Sequence, residues 1–380
     1  MYKREIEDVV SKEASSYPVL AFIGPRQSGK TTLAKKLFKN YEYVLLESLE
    51  NRRLATEDPK AFFKKHSGNL ILDEVQKAPE LLSEIQGIVD AKDNQRQFIL
   101  SGSENLLLSS KISQSLAGRV RIYTLLPFSK KEIFQKNDFD LNELLLTGAY
   151  PRIYDQKLLA HTWLDQYYLT YVEKDIRQLK NISNLSAFEK VIRLFAGRVS
   201  SLLDYSGVAN DSGVSQVTVK SWLSVLRATY ICFQLEPYYK NFNKRIIKSP
   251  KLYFHDTGLL CYLLRIKTKE QLESHPLYGN IFENWVVSEK LKSIYNKGES
   301  SNIYFWRGQN GLEIDLLEEN ASELIASEIK SAQTFTKEFK KNLNSFAELQ
   351  KSKKIGRVIY GGDESQKGDD FEIISWKNDF

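Results

Sequence analysis

The chain is poor in the residues that build metal and disulfide frameworks. Its 380 residues include two cysteines, Cys232 and Cys261, and four scattered histidines, which argues against a disulfide scaffold and against a structural zinc site. Both cysteines stand among apolar neighbours and are expected in the core. No apolar run approaches the roughly 18 residues of a membrane-spanning helix, and the opening MYKREIEDVV holds no apolar signal core. The expectation is a cytoplasmic protein with no membrane partner. Strong charge of one sign is also missing. The formal net charge of +6 is compatible with nucleic acid without requiring it. One Met against twenty Tyr and twenty Phe points to an aromatic-rich core. With 42% hydrophobic and 27% charged residues, the composition is that of a globular protein long enough for two or three domains.

What is present is most specific near the start. The apolar run Val19 to Ile23 reads as a short buried strand. It breaks into Gly24-Pro-Arg-Gln-Ser-Gly29-Lys30-Thr31 and resumes at helical spacing with Leu33, Ala34 and Leu37. This is the phosphate loop G-x-x-x-x-G-K-S/T in its strand–loop–helix context. Gly24, Pro25, Arg26, Gln27, Ser28, Gly29, Lys30, Thr31 and Thr32 are expected to hold ATP, with backbone N–H groups wrapped round the phosphates. Lys30 should reach the β- and γ-phosphates, and the Thr31 hydroxyl should ligate Mg²⁺. A second apolar run, Asn69-Leu-Ile-Leu-Asp-Glu74, ends in two acids. Asp73 is expected to hold the metal and Glu74 to polarise an attacking water. At the tip of the next strand, Ser101-Gly-Ser-Glu-Asn105 offers Ser103 as a γ-phosphate sensor. Ser101 and Asn105 compete for that role, and an ordinary polar turn is the alternative. Arg119 follows Gly118 at an exposed turn and suits an arginine finger reaching a neighbouring subunit; the alternative is a solvated surface arginine. Strands and helices alternate through residue 127, so residues 1–127 should form a parallel α/β sheet covered on both faces.

From 128 the strands give way to helices, and residues 128–185 read as a helical lid. They include a loop Thr147-Gly-Ala-Tyr-Pro-Arg152, whose Arg152 is a candidate phosphate sensor, and a long helix from Lys157 to about Leu179. Residues 186–270 read as a winged helix: a helix, a Gly-containing turn, and a helix capped by Ser215, then two short strands as a wing. Between those strands, Lys240, Lys244, Arg245, Lys248 and Lys251 are interleaved with aromatics and no acid, which suits DNA phosphates; packing or protein contact is the alternative. In residues 271–380, Asp315, a gap of about a dozen residues, then Glu328-Ile-Lys330 is a restriction-nuclease-like spacing. Asp315 and Glu328 on adjacent strands would share Mg²⁺, Lys330 would lie on the same strand face as Glu328, and Glu283 on the preceding helix would complete the site. An inactive scaffold with paired charges is the alternative.

GPRQSGKTTL from Gly24, LILDEVQ from Leu70, LSGSEN from Leu100, SLAGRV from Ser115 and PFS from Pro127 occur in that order. TGAYPR, KSPKLYFHDTGL from Lys248, IFENWVVSE from Ile281, GLEIDLL from Gly311 and EIK from Glu328 follow. Together they resemble a family of bacterial and archaeal ATP-binding proteins that joins an AAA+-type P-loop domain to a C-terminal region of unknown function. The resemblance implies an AAA+ fold, Mg²⁺-dependent ATP hydrolysis, a winged-helix middle, a restriction-endonuclease-like tail and a homo-oligomer. The sensor stretch SGSEN departs from the family's usual opening Thr. Three uses follow: an ATPase acting on DNA, a nucleotide-gated switch recruiting a protein partner, or an ATP-regulated DNA nuclease.

Overall fold

Short, fully apolar strands bounded by turns can be stable only between two layers of helices, and the N-terminal region has that form. The structure, a computed structural model, describes residues 2–103, 115–173, 184–238, 249–308, 311–320, 323–350, 356–368 and 371–380. The helix α1 (Glu7–Glu13) leads to β1 (Val19–Ile23), α2 (Lys30–Leu37), β2 (Glu42–Leu45), α3 (Leu49–Glu57) and α4 (Pro59–Lys65). Then come β3 (Leu70–Asp73), α5 (Leu81–Val89), β4 (Phe98–Gly102) and β5 (Val120–Thr124). These five strands form a parallel sheet in the order β2-β3-β4-β1-β5. Period-two alternation splits its side chains between two cores. Leu20, Phe22, Ile71, Ile99 and Tyr123 pack under α1 and α2 with Ile6, Val10 and Leu33. Val19, Ala21, Leu70, Leu72, Phe98 and Leu100 join the main core on the opposite face.

The region after 127 is helical, as expected, but less regular. It holds α6 (Lys130–Phe134), α7 (Leu141–Thr147), α8 (Pro151–Asp155) and α9 (Ala160–Tyr167), with one wide turn at Tyr168–Glu173. The expected loop at 147–152 is only partly a loop. Pro151 starts α8, where a missing N–H costs nothing. The expected long helix changes its hydrogen bonding after Tyr167, and its stretch beyond Glu173 lies outside the described residues. Next come α10 (Leu185–Ala196), α11 (Tyr205–Ser212) and α12 (Gln216–Ala228), the last capped by Ser215 Oγ. An antiparallel pair follows, β6 (Cys232–Leu235) with β7 (Lys251–Phe254). Both cysteines are buried and free.

The chain continues through α13 (Thr257–Leu263), α14 (Lys269–Glu273) and the long α15 (Tyr278–Asn296). A separate C-terminal sheet then forms from β8 (Ile303–Arg307), β9 (Glu313–Asn320), β10 (Glu323–Lys330), β11 (Gly356–Tyr360), β12 (Gln366–Lys367) and β13 (Phe371–Ser375), with α16 (Lys341–Gln350) between β10 and β11. Its order is β12-β13-β11-β10-β9-β8. β11 does not finish this sheet. Instead β13 pairs parallel to β11 beyond it, because Ile373 and Ile374 supply another apolar strand. Among the described residues no helix is long and apolar enough to cross a membrane.

Candidate functional site

At the end of β1 the backbone turns through two glycines that no other residue could replace without strain. Gly24 has φ +149° and Gly29 φ +95°. Between them Gln27 also takes a positive φ, of 67°. Ser28 and Lys30 are buried, Arg26 and Thr31 are half-buried, and Gln27 and Thr32 face outward. The Lys30 ammonium lies inside the loop and donates to the carbonyls of Gly24 at 3.0 Å and Pro25 at 2.7 Å. Burial pulls its pKa down to about 8, against the opposing pull of Glu74 and Asp73. The helical region reaches the loop through Tyr167, whose hydroxyl donates to the Arg26 carbonyl at 3.4 Å, and through Tyr171, whose ring lies 5.8 Å from the Arg26 guanidinium carbon. Arg152 does not take part; it is exposed on α8 and donates to Gln156 at 3.2 Å.

The acidic tip of β3 sits beside the loop because β3, β4 and β1 are consecutive in the sheet. Thr31 Oγ1 donates to Asp73 Oδ2 at 2.9 Å, and the Tyr43 hydroxyl donates to the same oxygen at 2.8 Å. Ser101 Oγ donates to Asp73 Oδ1. Three hydroxyls therefore fix the buried carboxylate and compensate its desolvation. Glu74 has φ +58°, a sparsely populated backbone state that turns its side chain away from the strand direction. Its Oε2 accepts from Ser103 Oγ at 3.1 Å and from Gln76 Nε2. Ser101 and Ser103 are thus both engaged, one with each acid; Asn105 lies outside the described residues. Sequence reasoning missed Tyr43 and Gln76. Gln76 stands two residues after Glu74 and was in plain view; Tyr43 needed the pairing of β2 with β3.

Arg119 is not near its own phosphate loop. It precedes β5, whose Val120 pairs with Val19 at the start of β1, while the loop follows Ile23 at the other end. Five residues at about 3.3 Å each separate the two ends by roughly 16 Å. Arg119 makes a two-pronged bond to Asp90, at 2.5 and 2.8 Å, near the surface.

A second charged cluster forms where α15 crosses β7, β9 and β10. Glu283 Oε1 accepts from Lys251 at 3.1 Å and from the Tyr253 hydroxyl at 2.7 Å. Lys251 also pairs with Glu313 at 2.5 Å. Lys330 pairs with Glu328 at 2.7 Å and with Asp315 at 3.9 Å, and Asp315 accepts from the Ile329 N–H at 2.8 Å. Burial raises Glu283 and Glu328 to about 7, with repulsion from Asp315 adding to it. The four residues Glu283, Asp315, Glu328 and Lys330 do converge, but Lys251 and Lys330 bridge the carboxylates. Among the described residues no group of three or more His, Cys, Asp or Glu side chains stands in metal-holding geometry. Lys251 corrects one expectation. Read with the basic segment as a contact for DNA phosphates, it is buried and faces these acids. Lys240, Lys244, Arg245 and Lys248 lie outside the described residues.

Loop, acidic strand and parallel sheet together define a P-loop ATPase domain of the AAA type, and residues 16–134 match the AAA domain family. Residues 138–270 match a domain of unknown function, DUF8612, and residues 278–378 match another, DUF4143. Over 322 residues the chain is 30% identical to the uncharacterized protein Rv2008c of Mycobacterium tuberculosis, covering 83% of this chain and 71% of the relative. The chain belongs to the same family. It is also similar to the uncharacterized protein MJ1544 of Methanocaldococcus jannaschii, 24% identical over 331 residues, covering 77% of this chain and 70% of that one. Among solved structures, the Walker-type ATPase PABY2304 of Pyrococcus abyssi aligns with 70% of this chain and 96% of its own, at 15% identity and a TM-score of 0.46.

Proposed function

We propose that the chain binds and hydrolyses ATP with Mg²⁺ at the loop between β1 and α2. The observation that carries this is the 2.9 Å bond between Thr31 Oγ1 and Asp73. It joins the loop's hydroxyl to the strand's carboxylate, two hard oxygen donors of the kind Mg²⁺ takes. The metal, when bound, neutralises charge on the β- and γ-phosphate oxygens. Lys30 leaves the Gly24 and Pro25 carbonyls to pair with those phosphates. Glu74 holds the attacking water as general base, and Ser103, bonded to Glu74, senses the γ-phosphate. Arg119 exchanges Asp90 for the γ-phosphate of a neighbouring copy in a homo-oligomer.

The test is an equilibrium titration with Mg-ATP across pH 7 to 9.5. Lys30 must carry its proton when it faces the phosphates, whereas burial in the free protein releases it near pH 8. Binding then takes up a proton above that pH, so affinity is expected to hold below pH 8 and to fall by up to about tenfold per unit above it. Lys30→Arg should flatten this decline, since arginine stays protonated. No binding at any pH would refute the assignment.

For the rest of the chain we infer a role on DNA. Helices α10 to α12 followed by the β6–β7 hairpin have the order of a winged helix, and the basic segment with Lys244 and Arg245 lies between the hairpin's strands in the sequence. DNA affinity is expected to fall steeply with salt, and Lys244→Ala with Arg245→Ala should lower the slope of log K against log salt by about 1.8 for two lost phosphate contacts. A slope near zero would favour a protein-recruiting switch instead. Metal-dependent DNA cleavage at the second cluster has one observation in its favour, the buried Glu328 Oε2 without a hydrogen-bond partner, but Lys251 and Lys330 occupy the carboxylates that a metal would need. Cleavage is expected to disappear in both Asp315→Ala and Lys330→Ala; absence of cleavage in the wild type on every DNA form would leave the cluster a scaffold.

A further inference from the structure

Arg4 belongs to none of the sequence motifs, and it precedes α1 by three residues. Its side chain is nonetheless buried, with all three of its guanidinium nitrogens engaged. Nη1 donates to the carbonyl of Ser28 in the phosphate loop at 2.8 Å. Nη2 donates to the carbonyl of Leu126, just past β5, at 2.8 Å. Nε donates to Glu132 Oε1 on α6 at 2.9 Å. The guanidinium also lies 5.0 Å from the centre of the Phe128 ring. Glu132 is completely buried and cannot drift, because it accepts from the N–H groups of Glu5 at 2.7 Å and Ser129 at 3.0 Å.

The contact with Ser28 has a stereochemical consequence. In a planar trans peptide the C=O and the N–H point in opposite directions. A guanidinium that holds the Ser28 carbonyl on the outer side of the loop therefore aims the Gly29 N–H at the inner side, where an anion would sit. Gly29 adopts a positive φ of 95°, a conformation with no strong intrinsic preference in glycine. An external anchor is what selects it, and Arg4 Nη1 is the atom nearest to where a Gly29 side chain would start, at 3.6 Å.

We propose that Arg4, held by Glu132, is a positioning residue of the nucleotide site that preforms the phosphate cradle from outside by fixing the Ser28–Gly29 peptide. The proposal rests on the reading of this loop as a triphosphate site. It makes the short segment before α1 part of that site. A brace that served only stability would lower the melting temperature and leave phosphate affinity alone.

The test measures dissociation constants of Mg-ATP and of inorganic tripolyphosphate, with melting temperatures, on the full chain. Arg4→Gln is expected to weaken both ligands by about tenfold or more, the scale of a lost charge-assisted hydrogen bond. Arg4→Lys keeps the charge but cannot make three diverging contacts, and should fall between. Arg121→Gln is the control. It breaks bonds to Glu13 at 2.8 Å and to the Gly298 carbonyl at 2.8 Å on the same sheet, so it should lower the melting temperature without changing either constant. Wild-type affinity in a folded Arg4→Gln protein overturns the proposal. If Arg4→Gln does not fold, Arg4→Lys and Glu132→Gln decide by the same constants, and unchanged affinity in both overturns it. A wild type that binds neither ligand refutes the triphosphate site itself, a result distinct from unequal or equal affinities among variants.

Discussion

Glu74→Gln is expected to bind Mg-ATP about as tightly as the wild type and to turn it over about 10²–10⁴-fold more slowly, the usual contribution of a positioned general base. Gln keeps the length and the hydrogen-bonding surface of Glu, so the bonds from Ser103 and Gln76 can be largely reproduced after a rotation of the amide. It loses the ability to accept a proton. The backbone is set up for this separation of roles. Asp73 ends the strand in extended geometry and is tied by Thr31, Tyr43 and Ser101, while the next residue flips to a positive φ and carries its carboxylate elsewhere. Phosphate release under saturating Mg-ATP, with affinity measured separately, checks the prediction. A loss of affinity with turnover at saturation unchanged would instead assign Glu74 a binding role.

Gly24→Ala is expected to be the most damaging small substitution in the nucleotide domain. A Cβ at Gly24 would stand 2.1 Å from the Leu125 carbonyl oxygen and 2.9 Å from its carbon. Neither neighbour can yield cheaply, because Leu125 N–H donates to the Ile23 carbonyl at 2.7 Å and Ile23 continues straight into the loop. The φ of +149° adds strain for any side chain. The cost should be on the order of 3 kcal/mol or more, in the range of severe core changes, with Mg-ATP affinity lost as well. Gly87→Ala provides the contrast. It lies exposed within α5 with nothing within 4 Å of its would-be Cβ. Removing a helical glycine there should stabilise by roughly 0.4–1 kcal/mol. Chemical denaturation of the two variants checks the pair of outcomes.

The nucleotide end was readable from the sequence because its chemistry is contiguous. Gly24 to Thr31 is one loop, and Asp73 with Glu74 ends one apolar run, so no knowledge of strand order was needed. Tyr43 and Arg4 were illegible for the opposite reason. Tyr43 reaches Asp73 only because β2 pairs with β3, and Arg4 reaches Ser28 from 24 residues upstream. Lys251 shows how local charge misleads. It extends a basic run in sequence, yet the antiparallel pairing of β7 with β6 turns it inward to Glu283 and Glu313. Arg119 reads as an exposed turn arginine and is half-exposed, but the register of β5 on β1 puts it at the end of the sheet away from its own loop. The sheet's last full strand, Phe371–Ser375, was missed because five residues of mixed character carry little period-two signal.

The rate of phosphate release from Mg-ATP by the full chain, wild type beside Lys30→Ala, bears most directly on the assignment of the phosphate loop. The wild type should release phosphate over many turnovers, and Lys30→Ala should reduce the rate to background. A wild type at background with and without DNA, or a Lys30→Ala variant as fast as the wild type, would contradict it.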